Sequence, residues 1–372
     1  MHFASPISMF EIIILIGPGT ELFPIVNERF SKACLPIMNS PMILHTMRSL
    51  STVSKKFFVV GLNEEKDDLM NAIGDNIDVP VEYVGIDTYD GTVASLLSIY
   101  PMIASEDVLV CKGDIVTNMD IQAMASNYFG TKKMFMVILG NATSEVSILG
   151  YRGDELVFYS SDSNEEIPFH LLKKGLTLTK DLDVLQLYMF KTSLFKMFSS
   201  SCFSFKHGLL PDIVKDLALV NPVGIHRPAK SYVYQIRTIS NYLWVNTLLK
   251  RHAISIDKKL KTSESNAKFI KDYVKKYNLK DLSNVVGDNT RTGNVLLLDS
   301  IIGSGCDIGE ESKIISSIVM DNVSIGHGSH IEGSIVGMGA TILDGSTLIN
   351  CKVSPGYVFN EVVHGDSQSF SK

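Results

Sequence analysis

A doubly wound α/β domain followed by a left-handed parallel β-helix is the fold that this 372-residue chain predicts. Three observations carry that expectation. A continuous apolar run over residues 10–16 stops at Gly17, as a buried parallel strand does. Further runs at 57–61 and 81–84 alternate with helical spacing at Ile43, Leu44, Met47 and Leu50 and with an acidic helix start at Asn63, Glu64 and Glu65. The order is therefore β-α-β-α-β. From residue 284 onward, aliphatic residues return in steps of 6, 6 and 5, a period of 17, which is the mark of three short strands per coil.

The turn after the first strand is where an open α/β sheet presents backbone amides to phosphate, outside the carboxyl ends of its strands. Gly17 and Gly19 permit a tight turn and a close approach to a ligand. Lys32 supplies a cation able to reach back toward a triphosphate. Residues 42–51 read as the first helix. Asp90, Gly91 and Thr92 open another, through Ala94, Leu96, Leu97 and Tyr100, with Thr92 or Asp90 as its N-cap. Its bland reading is a capped surface helix. Residues 107–114 form the next central strand and end on Asp114. An aspartate that closes a strand is more often a turn former or a cap than a ligand. One carboxylate is also a poor magnesium site, so a second carboxylate decides the matter.

A net charge of −6 argues against non-specific binding to nucleic acid or to an anionic membrane. The five cysteines, Cys34, Cys111, Cys202, Cys306 and Cys351, are scattered without C-x-x-C pairs, which fits a reducing compartment better than disulfides or a metal. The N-terminus has neither a basic flank nor a small-residue cleavage site. No apolar run approaches the roughly twenty residues of a membrane span. A cytosolic location is expected.

Residues 1–250 read as the α/β domain, with Leu243 to Leu249 finishing a helix. Residues 251–283 read as a helical linker crowded with Lys258, Lys259, Lys261, Lys268, Lys271, Lys275, Lys276 and Lys280. Phe269, Ile270, Tyr273, Val274 and Tyr277 keep helical spacing within it. A solvated connector with one apolar seam accounts for this better than an RNA or membrane contact does, given the acidic whole. The β-helix is expected over 284–359, with inward residues Ile302, Ile308, Ile314, Val319, Ile325, Ile331, Val336, Ile342, Leu348 and Val353 in about four coils. Residues 360–372 are expected as a short strand and a polar tail.

The first loop resembles the opening of the sugar-phosphate nucleotidyltransferases, G-G-x-G-T-R-L-x-P…P-K-P-L-x-P-V. Gly17, Gly19, Thr20, Leu22, Pro24, Lys32, Pro36 and Pro41 sit on that pattern. In that family the G-T-A-x-A-L run, here beginning at Gly91 and Thr92, lies under the nucleobase and sugar. The aspartate of V-L-x-G-D, here Asp114, holds magnesium. The departures bear on chemistry. Glu21 stands where the family has a phosphate-gripping arginine, and an acid there repels a triphosphate. Lys32 lacks its flanking prolines. The D-I-G-T-P run is matched by Gln235, Ile236, Arg237, Thr238 and Ile239, so the second metal carboxylate has become Gln235. The N-A-G strand is matched by Val184, Leu185 and Gln186, followed by Leu187, Tyr188, Met189 and Phe190, with bulkier side chains in place of the small ones. No lysine follows Leu156, Val157 and Phe158 where the family has E-K-P. Nucleotidyl transfer depends on positioning and charge neutralisation, and these changes remove much of both. Gly17, Gly19, Thr20, Lys32, Gly91, Thr92 and Asp114 then form a vestigial nucleotide pocket, with no catalytic residue, metal or cofactor expected.

Longer runs are similar to the gamma subunits of eukaryotic translation initiation factor 2B. They are residues 90–101, 107–117, 181–188, and the closing Asn360, Glu361, Val362 and Val363. That resemblance implies a cytosolic, non-catalytic subunit of the guanine nucleotide exchange factor for initiation factor 2. Its implied partners are an epsilon subunit, the alpha, beta and delta subunits, and initiation factor 2 itself. In that family epsilon ends in a helical catalytic domain; none is expected here past the coils, so gamma is the expected match. Two other readings stay open. One is a mannose-1-phosphate guanylyltransferase-like enzyme using Lys32 and Asp114. The other is a pseudoenzyme that keeps a weak nucleotide site.

Overall fold

The computed structural model describes residues 9–27, 30–141, 147–162, 165–172, 175–228, 231–253 and 284–371. Residues 254–283, most of the lysine-rich linker expected over 251–283, lie outside the described residues, as do Ser163 and Asn164 of the stretch after Phe158. The chain divides into two compact units. One is Met1–Pro18 with Met42–Gln235, and the other is Gly19–Pro41 with Ile236–Lys372. The sequence places the boundary of the first domain at residue 250. The break comes at 235, and the loop after the first strand belongs with the coils.

In the first unit the strands are β1 (Phe10–Leu15), β2 (Ser54–Leu62), β3 (Val81–Ile86), β4 (Asp107–Lys112), β5 (Ile115–Thr117), β6 (Phe135–Asn141), β7 (Ile148–Arg152), β8 (Glu155–Ser160), β9 (Thr177–Thr179), β10 (Leu182–Lys191), β11 (Val223–His226) and β12 (Val233–Gln235). The helices are α1 (Met42–Leu50), α2 (Lys66–Ile73), α3 (Thr92–Ile99), α4 (Ile121–Thr131) and α5 (Leu210–Leu217). Ten strands form one sheet in the order β9-β7-β8-β11-β6-β10-β4-β1-β2-β3. β1 pairs in parallel with both β2 and β4, and β2 with β3, so the doubly wound half is as expected. β10 runs antiparallel to β4 and β6, which makes the whole sheet mixed. The order reverses between β1 and β4, the place where ligands of open α/β sheets bind. β1 is buried at every position. Its one acid, Glu11, stays there because Oε2 accepts from the amides of Ala104 and Ser105, both at 2.8 Å.

The second unit contains the loop from Gly19 to Pro41, α6 (Ile239–Ala253) and the coils. Its parallel ladders keep the 17-residue step throughout, as in Ile301–Ile318–Ile335–Lys352–Ser369. The exceptions among the described residues are in the first coil, where Val285 with Ile301 and Arg291 with Asp307 are each one residue short. All ten of the aliphatics expected to point inward are buried in one core. This is a hexapeptide-repeat region of stacked parallel sheets, consistent with a left-handed β-helix. Two expectations are corrected. The rungs run from Val285 to Phe370, five coils where about four were expected. Residues 364–366 and 369–370 continue the ladders within what was expected to be a strand and tail.

Serine corners close the coils. Ser300, Ser317 and Ser334 each donate to a carbonyl two residues back, at 2.7–2.8 Å, and each accepts the amide of the corner above. Buried hydroxyls are thereby satisfied inside a dry prism. The loop is fastened within this unit. Ser354 Oγ donates to Pro24 O at 2.7 Å, Asn39 Nδ2 to Ile302 O at 2.7 Å, and Tyr242 OH to Pro36 O at 2.9 Å. Lys250, buried on α6, reaches Asp299 Oδ1 at 2.6 Å.

Candidate functional site

In the first unit Gly17 and Asp114 lie at the ends of β1 and β4. Gly17 is buried just past β1, and Gly113 N donates to Leu15 O at 3.1 Å, so Gly17 and Asp114 end neighbouring strands. Asp114 is fully buried. Its carboxylate accepts from Gln235 Nε2, at 3.2 Å to Oδ1 and 3.4 Å to Oδ2. Gln235 Oε1 in turn accepts from Gln186 Nε2 at 3.1 Å. This relay fixes the orientation of the amide: its acceptor end is taken by Gln186, so its donor end faces the carboxylate.

Local structure explains each partner. β12 pairs with β5, with Gln235 opposite Ile115, which sets Gln235 beside the residue that follows Asp114. β10 carries a bulge between Leu185 and Tyr188, and its pairing with β4 ends at Leu187 opposite Cys111. Gln186 therefore sits at the open end of β4 instead of in the ladder. The negative field is felt nearby. Burial first, and Asp114 second, raise the Tyr89 phenol above its ordinary value of 10.0 and push the fully buried Cys111 thiol up as well.

The fold family implies magnesium here, and the donor set does not fit it. Both oxygens of the Asp114 carboxylate already meet a carboxamide, and Gln235 stands where the resemblance implies the second acid. No group of three or more His, Cys, Asp or Glu among the described residues is placed to hold a metal ion.

The start of α3 is also filled by the chain itself. Gly91 caps the helix at φ +95°, with no side-chain cap. Thr92 and Asp90, expected as caps, do other work. Thr92 Oγ1 accepts from Phe205 N at 2.7 Å, and Asp90 accepts from Thr88 Oγ1 at 2.9 Å. Val93 N donates to Phe203 O at 3.5 Å. A Cβ on Gly91 would lie 2.2 Å from that same oxygen. Where the resemblance implies a nucleobase and sugar over this turn, Phe203 O accepts the Val93 amide and Phe205 N donates to Thr92 Oγ1. Residues 203–205 are held down by a buried ion pair, Lys206 Nζ to Asp183 Oδ2 at 2.6 Å.

In the second unit lie Gly19, Thr20 and Lys32. Gly19 is left-handed at φ +68° because Lys32 leaves no room above it; its Cβ would meet Lys32 Cβ at 2.8 Å. Thr20 is exposed and Lys32 buried. Arg237 and Glu21, two of the departures noted in the sequence, meet each other, Nη2 to Oε1 at 3.6 Å. The sequence flagged Gln186, Gln235 and Arg237 as changes but carried no sign that they would find partners. Phe203 and Lys206 went unnoticed, since no spacing pattern marks them. All five cysteines are free thiols, and no helix among the described residues is long and apolar enough to cross a membrane.

Comparison with known proteins agrees with the two kinds of fold. Residues 11–151 match the model for the nucleotidyl transferase family, and residues 265–353 match the GlmU-like C-terminal hexapeptide model. Two curated relatives, both named bifunctional protein GlmU, come from Methanococcus maripaludis strains C7 and DSM 14266. Each is 28% identical, over 176 and 173 residues respectively. The match covers 45% of this chain and 39% of each relative, so the chain spans well under half the length of those proteins. The chain thus carries a nucleotidyltransferase-like α/β domain followed by a GlmU-like hexapeptide-repeat region, a combination of the sugar-nucleotidyltransferase-like superfamily.

Proposed function

We propose that this chain is a non-catalytic subunit of the guanine nucleotide exchange factor for translation initiation factor 2. On this reading it pairs in the cytosol with an epsilon-like subunit and joins the alpha, beta and delta subunits. The observation that carries the non-catalytic half is the carboxamide of Gln235 on Asp114. Where a transferase needs a second acid to hold a cation, this chain offers a donor that competes with one. The plugged α3 turn and the Glu21–Arg237 pair support the same reading. The subunit half is supported by the shared order of the runs that resemble the gamma subunits, from Asp90 through Val363.

A second reading is a mannose-1-phosphate guanylyltransferase-like enzyme that makes a nucleotide sugar, with Lys32 on phosphate and Asp114 on metal; the relatives named GlmU do not separate the two. Native mass spectrometry of the chain drawn from its own cells separates the two. The expected result is co-purification with an epsilon-like chain; a stable monomer, or a homo-oligomer alone, counts against the subunit reading.

A further inference from the structure

The last coil ends in an open edge. Residues 364–366 and 369–370 pair with the coil below them and, among the described residues, with nothing beyond. Thr347 N donates to Val363 O at 2.7 Å, and Ser367 N donates to Ile349 O at 2.8 Å. Residues 347 and 349 therefore aim their main-chain groups at the last rung. His364 and Asp366 stand in register with those two, so they aim theirs past it. Both are exposed, with Gly365 buried between them, and alternate residues of a strand share a face. A row of unused amides and carbonyls is a template for another strand.

This edge matches itself. When the same three residues of a second copy run antiparallel to it about Gly365, His364 of each copy lies opposite Asp366 of the other. Those positions exchange main-chain hydrogen bonds in both directions, and each sets an imidazole beside a carboxylate. Asp366 Oδ1 accepts from Ser367 Oγ at 2.9 Å, which steadies the carboxylate. The two-fold axis stands normal to this face of a three-sided coil, so it exchanges the other two faces. Residues 369–370 then meet Val358 of the second copy, a side chain 50% exposed in the single chain and bridged to Thr341 below. We propose that the chain self-associates end to end through its last coil, as an isologous dimer centred on Gly365. The inference goes beyond the exchange-factor reading and does not rest on it.

Sedimentation velocity on the full chain, up to about 100 µM, tests it. The wild type should pass from monomer to dimer as concentration rises. His364→Glu and Asp366→Lys should each weaken association about tenfold, because each spoils the charge match twice in a two-fold dimer. Mixing the two variants should restore it, since the new acid of one then faces the new lysine of the other and a native pair re-forms beside them. Hydrogen exchange at the His364 and Asp366 amides should slow as the dimer fills. Both variants should melt with the wild type, their side chains being exposed. A wild type that stays monomeric at the top concentration, with those amides unprotected, overturns the proposal and leaves the edge to a different chain. Dimerisation that ignores both variants, or a mixture no tighter than its components, overturns it too. Failure here leaves the exchange-factor reading standing, and absence of an epsilon-like companion leaves this one standing.

Discussion

Replacing Lys206 by methionine lowers the melting temperature of the α/β unit by roughly 10 °C, since about 3–5 kcal/mol is at stake when a buried ion pair loses one partner. The side chains of Lys206 and Asp183 are only 6% and 10% exposed. Methionine keeps the volume but leaves the Asp183 carboxylate in a dry site with one local partner, the amide of Val184 at 2.7 Å. Lys206→Met/Asp183→Asn should recover part of the loss, because the stranded charge is gone. Thermal unfolding followed by circular dichroism measures both. A shift under 2 °C in the single variant would remove the pair from the account of how residues 203–209 are held.

Gly91→Ala is expected to cost about 3 kcal/mol or more, from two causes that add. Backbone at φ +95° is open almost only to glycine, worth roughly 1–3 kcal/mol by itself. The new methyl would also sit 2.2 Å from Phe203 O and 2.8 Å from the Phe203 ring. A backbone carbonyl cannot rotate away as a side chain can, so residues 203–205 must lift off the α3 turn. Hydrogen exchange should then rise at the amides of Val93 and Phe205, whose acceptors are Phe203 O and Thr92 Oγ1. Unchanged exchange at both amides together with wild-type stability would show that the turn is not plugged.

The coils were legible because each is a local repeat. A single inward aliphatic at a fixed step specifies its own ladder, and Ile302 through Val353 read straight off the sequence. The parallel half of the sheet was legible for a similar reason, since β1, β2 and β4 are buried runs whose ends carry glycine or a turn. The rest depended on residues far apart in the chain. The bulge that frees Gln186 shows only once β10 is laid between β4 and β6. The cap of α3 was misread because Thr92 has the right chemistry for an N-cap, yet Phe205 claims its oxygen from 113 residues away. The loop from Gly19 to Pro41 looked like part of the first domain by sequence order. Its anchors, Ser354 on Pro24 O and Asn39 on Ile302 O, are single side chains in the coils that no periodicity singles out. At the candidate site the sequence marked what had been lost, but not the pairings that replaced it. Gln235 answers Asp114, and Arg237 answers Glu21.

Turnover tests the central claim most directly. The full chain, with GTP, mannose 1-phosphate and magnesium, should release pyrophosphate at the rate of a protein-free blank, and Asp114→Ala should leave that rate unchanged. Magnesium-dependent release that Asp114→Ala abolishes would contradict it, because a carboxylate tied up by Gln235 could not then be what the site offers its substrates.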